Sequence, residues 1–173
     1  MLEERLCARK RVPSATFVSR AFVRGYRLRF HKRSSDCSGK CNIVQTELSE
    51  DLLHGVVFEV PDGDLPALDR AEGVGHGYHH QDVTITIDDN DSVALAYVAD
   101  SDRINDSLIP YVWYHQLVIS GATQHNLPID YVAGLRAIPF TDDPESARLT
   151  KIEAEAALRA YDKAIEYKRP PRN

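Results

Sequence analysis

Val83-Thr84-Ile85-Thr86-Ile87 alternates apolar and polar residues without a break, and Val93 to Val98 returns after the acidic turn Asp88-Asp89-Asn90-Asp91-Ser92. Alternation at a period of two marks a strand with one face buried and one face in water. A connection this short joins antiparallel neighbours, because a parallel pair needs a long crossover. The chain is thereby committed to an antiparallel hairpin, and the remaining segments must arrange themselves around it.

Those segments fall in a definite order. Residues 2–9 read as a short helix, and 14–22 and 25–32 as strands rich in Val, Phe, Tyr and Arg. Ser34 to Lys40 is polar and is expected to be a mobile loop; Cys41 to Gln45 and 54–60 read as strands. Leu65 to Glu72 is a helix, started by Asp64 as N-cap with Pro66 in its first turn. From Pro110 the period turns helical, with Tyr114, Leu117, Val118 and Gly121 on one face and Trp113 and His115 as packing or boundary residues. Asn126-Leu127-Pro128 breaks this helix before a second one from Ile129 to Ala137. A last helix, about 145–167, has two apolar edges: Leu149, Ile152, Ala156 and Ala160 on one, and Leu158, Tyr161 and Ile165 on the other. One edge can dock on the body, and the edge left over offers a contact for a second copy in a homodimer. Lys168 to Asn173 reads as a frayed tail. Strands first and helices toward the C-terminus give an α+β class, in one domain over 1–173 with no internal repeat.

Composition excludes several functions. Hydrophobic residues at 43% and charged residues at 27% are those of ordinary globular proteins, not disordered ones. No apolar run approaches the ~20 residues of a membrane span, and no secretory signal opens the chain, so the expectation is a cytoplasmic protein with no membrane partner. Cys7, Cys37 and Cys41 are an odd number and read as reduced thiols. No cofactor is called for, and no metal site: His76, His79 and His80 are the only histidine cluster, and on a strand His79 and His80 point to opposite faces. The acidic turn at 88–92 lacks the glycine and the later bidentate glutamate of a calcium loop. Residues 1–41 carry eleven Lys or Arg against three Asp or Glu, leaving ten against twenty-three elsewhere. Around Gly25-Tyr26-Arg27-Leu28-Arg29-Phe30 the basic residues alternate with apolar ones, as on a solvated strand face. No stacking platform accompanies them, so no nucleic acid partner is expected; a positive patch near a pocket can instead attract a small acidic molecule.

The stretch that carries chemistry is Leu68-Asp69-Arg70-Ala71-Glu72-Gly73-Val74-Gly75-His76-Gly77-Tyr78. At 3.6 residues per turn Leu65, Leu68 and Glu72 share one face, with Arg70 opposite. Glu72 therefore continues an apolar stripe, and burial that disfavours the charged form is how a glutamate comes to exchange protons near neutral pH. The other reading is a solvated helix end closed by Gly73 in the left-handed conformation. The glycines follow a helix and lead into a strand, so they are not a phosphate fingerprint; they mark tight turns or close backbone approach to a ligand.

The segment LDRAEGV-Gly-His-Gly-Tyr resembles the acidic motif of the γ-glutamylcyclotransferase family. His54-Gly55-Val56-Val57-Phe58-Glu59-Val60 resembles the strand before it, and Gly121-Ala122, Leu127-Pro128, Tyr131 and Leu135-Arg136-Ala137-Ile138 resemble the family's C-terminal helical signature. The resemblance runs from Met1 to about Phe140. It implies a small, mostly antiparallel sheet curled into a barrel, with helices packed around it and the pocket at its mouth. It also implies cyclisation of a γ-glutamyl amino acid, dipeptide or amine to 5-oxoproline, with Glu72 as general base and then acid. Tyr78 is then the residue that orients the small-molecule γ-glutamyl substrate or Glu72, with an ordinary core strand residue as its other reading; Gly73, Gly75 and Gly77 complete the substrate-binding set. Family members open with a strand ending in Tyr-Gly-Ser-Asn, which these 173 residues do not contain; Met1 to Leu6 resembles the helix that follows it. The alternatives are a start assigned too late and a non-catalytic relative that binds a small acidic ligand or acts as an interaction module. DNA upstream of Met1 separates them: an in-frame Tyr-Gly-Ser-Asn favours the enzyme.

Overall fold

The computed structural model describes residues 1–168, forming α1 (Glu3–Leu6), β1 (Thr16–Arg24), β2 (Tyr26–Arg33), β3 (Gly39–Gln45), β4 (Leu52–Glu59), α2 (Leu65–Glu72), β5 (Tyr78–Ile87), β6 (Asn90–Ala99), α3 (Val112–Gln124), α4 (Ile129–Arg136) and α5 (Leu149–Lys168). Beyond Lys168, the tail read from the sequence lies outside the described residues. The alternating segment pairs as its pattern requires, from Tyr78 opposite Ala99 to Ile87 opposite Asn90. The hairpin is longer and its turn tighter than expected. Asp88 and Asp89 alone make the turn, at φ 45° and 63°, the left-handed pair that matches the twist of a two-residue hairpin. The strand reaches back to Tyr78 because its polar residues find partners: His79 Nδ1 lies 2.8 Å from Asp100, and His80 Nε2 lies 2.7 Å from Asp69.

All observed strand pairs are antiparallel, in a four-stranded sheet of order β4-β1-β5-β6 and a separate two-stranded sheet β2-β3. The α+β class with antiparallel sheets is therefore present, but the expected barrel is not: the sheet remains open. β1 lies beside β4 along its whole length, with a bulge between Phe17 and Ser19, and meets β5 in register only at Phe22 opposite Thr86. The two sheets are linked by the packing of Leu28 and Ile43 against Ala21, Val23, Leu53, Val83 and Ile85, and by one polar bridge. Asn42 on β3 donates toward His31 Nε2 at 3.1 Å, while its Oδ1 accepts the Ala99 amide of β6 at 2.9 Å.

The stretch expected to be a mobile loop is instead tied around one carboxylate. Asp36 accepts from the Ser38 amide at 3.0 Å, the Ser38 hydroxyl at 2.8 Å and Lys40 Nζ at 2.7 Å. Burial alone would raise the Asp36 carboxyl; the hydrogen bonds from Lys40 and Ser38 outweigh it and hold it low. The loop is also shorter than expected: Lys40, read as its last residue, lies in β3, its ammonium 4.7 Å from the ring centres of both Trp113 and Tyr114.

The helices close the other side. Ala154, Ala157 and Tyr161 of α5 pack with Leu2, Trp113 and Leu117. The docked edge thus belongs with Leu158 and Ile165, and Leu149 and Ile152 stay exposed. Ala154 and Ala157 on the docked face let α5 approach closely, beside the larger Tyr161. Gly121 does the same for α3: a Cβ there would stand 2.7 Å from backbone atoms of Met1 and Leu2. His115 is buried with Nε2 2.8 Å from the Leu135 carbonyl, and Trp113 donates to Asp143 at 3.0 Å.

Candidate functional site

α2 ends where the sequence places its punctuation. Pro66 stands in the first turn and Gly73 closes the helix at φ 79°, its amide bonded to the Asp69 carbonyl at 2.8 Å. Asp64 differs from expectation: its backbone carbonyl takes the first helical bonds, but its side chain accepts from Ser14 and caps nothing. The helix is held on two sides. Leu68 is buried against Leu6, Val12 and Ala15, a contribution of about 1.5–3 kcal/mol for one leucine. On the other side Asp69 accepts the Tyr97 hydroxyl at 2.8 Å and pairs with His80. Both contacts fix the direction in which the next turn presents Glu72.

Leu65, Leu68 and Glu72 all line a cavity of about 1440 Å³ between the two sheets and α1, α2 and α3. The side chain of Glu72 is 23% exposed, and its Oε1 lies 3.2 Å from the Arg11 guanidinium. Glu72 thus faces the cavity, partly buried and ion-paired, at a helix end that Gly73 closes in the left-handed conformation. The counter-charge was not legible: Arg11 is sixty-one positions away in a polar run after α1.

Tyr78 is also on the wall, buried, but its hydroxyl donates to the Cys41 carbonyl at 2.6 Å rather than to Glu72. The Cys41 amide in turn donates to the Tyr114 hydroxyl at 3.1 Å, so two phenols clamp one residue of β3 from its two sides. Burial raises both phenols well above their ordinary range, and neither serves as a base at neutral pH. Burial likewise pushes the Cys41 thiol up to about 11, which keeps it protonated and poorly nucleophilic. Gly73 and His76 lie on the wall, whereas Gly75 and Gly77 stand off it. The Gly75 amide is taken by the Tyr78 carbonyl and the Gly77 carbonyl by the Asp100 amide, so both serve the turn. Gly77, at φ 131°, also lets another chain pass: a Cβ there would be 3.0 Å from Lys32 Cε.

Lys32 is a wall residue that alternation along β2 does not reveal. The register slips between Arg29 and Lys32, and Phe30, His31 and Lys32 are all buried. A bulge carries successive side chains inward and breaks the period of two. Among the described residues no three His, Cys, Asp or Glu side chains gather closely enough to hold a metal ion, and no helix is long and apolar enough to cross a membrane.

Residues 52–135, from β4 into α4 and including Glu72 and Tyr78, match the model of a family described as AIG2-like. A Bos taurus protein, γ-glutamylcyclotransferase, is 28% identical over 148 residues, which is 82% of this chain and 76% of the relative. A solved structure of a γ-glutamyl cyclotransferase superposes with a TM-score of 0.74 at 23% identity, covering 91% of this chain and 92% of that one. The crystal structure of an uncharacterized Homo sapiens protein gives 0.73 at 24% identity over the same shares. These structural likenesses are likenesses of fold.

Proposed function

We propose that this chain, which matches the AIG2-like family model over residues 52–135 and is similar to a γ-glutamylcyclotransferase, is a cyclotransferase-like enzyme which closes a γ-glutamyl group on itself to release 5-oxoproline. The observation that carries this reading is a single carboxylate, Glu72, at a helix end on the wall of a cavity large enough for such a substrate.

The reaction needs little beyond that. The substrate's α-amino nitrogen is the nucleophile and its γ-carbonyl carbon the electrophile, so the attack is intramolecular. Much of the proximity advantage already resides in the substrate, and the protein's part is to hold it in the attacking geometry. Glu72 accepts the proton that the α-ammonium must lose, the new carbon–nitrogen bond forms, and the γ-amide bond breaks. That proton returns from Glu72 to the departing nitrogen, while the ring nitrogen gives up its second proton to water, so that a neutral lactam and a free amine or amino acid leave. A carboxylate that alternates between base and acid accounts for about 10²–10⁴-fold. Backbone amides stabilise the developing oxyanion. Arg11 keeps Glu72 in place between the two transfers. Tyr78 contributes by shape, its ring on the wall and its hydroxyl holding β3, while Gly73 brings backbone to the ligand and Gly75 and Gly77 set the loop behind it.

Incubation with a γ-glutamyl dipeptide such as γ-glutamylalanine tests the reading. Equal amounts of 5-oxoproline and free alanine, followed by mass spectrometry, are expected. A folded protein that releases neither from γ-glutamyl dipeptides nor from γ-glutamylamines overturns it.

A further inference from the structure

A cavity of about 1440 Å³ exceeds the ~300–1,000 Å³ of most small-molecule pockets, so charge on its wall must do what tight shape cannot. The charges there are mostly spoken for. Glu72 is paired with Arg11 at 3.2 Å and Asp36 with Lys40 at 2.7 Å. Arg5 reaches Glu153 at 3.1 Å. Lys32 is the buried exception; Arg33 and Arg70, also on the wall without an ion pair, are exposed to solvent. Lys32 is 8% exposed and lines the cavity, yet none of the described carboxylates lies within 4.0 Å of its ammonium. Its nearest compensation is the face of the Tyr78 ring, 4.4 Å from Nζ to the centroid.

Most of the side chain is buried and its ammonium has no carboxylate partner, and a ring face offsets only part of the cost of desolvating it. Burial, with Arg103 nearby, accordingly pushes the Lys32 ammonium below its ordinary range. The fold nevertheless makes room for it. Gly77 has no side chain where a Cβ would stand 3.2 Å from Nζ, and the Lys32 backbone is fixed between Lys40 of β3 and Ile104. The lysine is thus held in place, half-compensated, on the same wall as Glu72.

We propose that Lys32 is the anchor for a carboxylate of the ligand, and that the cavity selects small carboxylates over neutral molecules of the same shape. The identity of the anion rests on the reaction proposed above: it is the α-carboxylate of the γ-glutamyl group, which persists in 5-oxoproline. Lys32 supplies the opposite charge, and the Tyr78 ring beneath it fixes where the ammonium stands. Once bound, the carboxylate positions the neighbouring α-amino group for Glu72.

5-Oxoproline and 2-pyrrolidinone are the same lactam with and without the carboxylate, and their affinities by calorimetry test the assignment. The wild-type protein is expected to bind 5-oxoproline at least about tenfold more tightly, Lys32→Met to lose that preference, and Lys32→Arg to retain most of it. In turnover, Lys32→Met is expected to raise KM about tenfold or more while kcat stays within about threefold. Equal wild-type affinity for the two lactams overturns the proposal, and that comparison needs no variant. So does a folded Lys32→Met protein with unchanged KM or unchanged preference. A protein that turns over no γ-glutamyl compound but keeps a Lys32-dependent preference for 5-oxoproline refutes the reaction and leaves the anchor. Turnover that is indifferent to Lys32→Met does the reverse.

Discussion

Asp143 offers a test of the packing that holds the helical wall in place. Its side chain is fully buried and accepts four hydrogen bonds: from Trp113 Nε1 at 3.0 Å, the Glu145 amide at 3.0 Å, Arg148 Nε at 2.8 Å and a second Arg148 nitrogen at 3.3 Å. Burial by itself would raise this carboxyl, but the bonds from Arg148, the Glu145 backbone and Trp113 outweigh it and hold the pKa at about 2. The unfolded value is about 3.9. A carboxyl depressed in the folded state stabilises the protein fully above the unfolded pKa, and that stabilisation fades as pH falls through 3.9 toward 2. The ceiling on the effect is about 2.5 kcal/mol, and solvent around the segment reduces it to roughly 1–2 kcal/mol. Asp143→Asn keeps the shape and an acceptor for Trp113 but removes the charge. For a chain of this size, 1 kcal/mol shifts Tm by about 2–4 °C. Thermal melts of the wild type and Asp143→Asn should therefore differ by about 2–8 °C at pH 6–7 and converge toward pH 2. A difference that stays constant from pH 7 to pH 2, or no difference at pH 7, refutes the reasoning.

Gly121→Ala should lower stability by about 1–3 kcal/mol, although alanine is the better helix former, because its Cβ meets the Met1–Leu2 backbone at 2.7 Å. A rise in Tm would show that α3 and the N-terminal segment can separate at little cost. Tyr78→Phe removes the 2.6 Å bond to the Cys41 carbonyl and should cost about 1–3 kcal/mol in urea denaturation while 5-oxoproline formation persists. Abolished turnover at unchanged stability would instead make the hydroxyl a reacting group.

What the sequence reveals and hides follows from the range of each interaction. α2 spans Leu65–Glu72, the residues expected from Pro66 and Gly73, because a proline and a left-handed glycine act on their own backbone. The β5–β6 hairpin is legible for the same reason. α5 begins at Leu149 rather than near 145 because Pro144 and the bonds gathered on Asp143 hold the preceding segment in another shape. The open sheet is a long-range outcome: β1 and β5 share one register pair, and no local pattern encodes where their pairing ends. The site divides similarly. Glu72, Gly73 and Tyr78 are close in sequence and readable from helix spacing and a motif. Arg11 and Lys32 reach the wall from distant segments, the second through a bulge, and Cys41 joins it through β3.

Glu72→Gln is the most direct measurement, because it keeps the length and hydrogen-bonding capacity of the side chain and removes only its ability to take and return a proton. We expect turnover of a γ-glutamyl dipeptide to fall by about 10²-fold or more, with 5-oxoproline affinity changed by only a few-fold and Tm by only a few degrees. Turnover by Glu72→Gln at the wild-type rate would contradict the role assigned to this carboxylate.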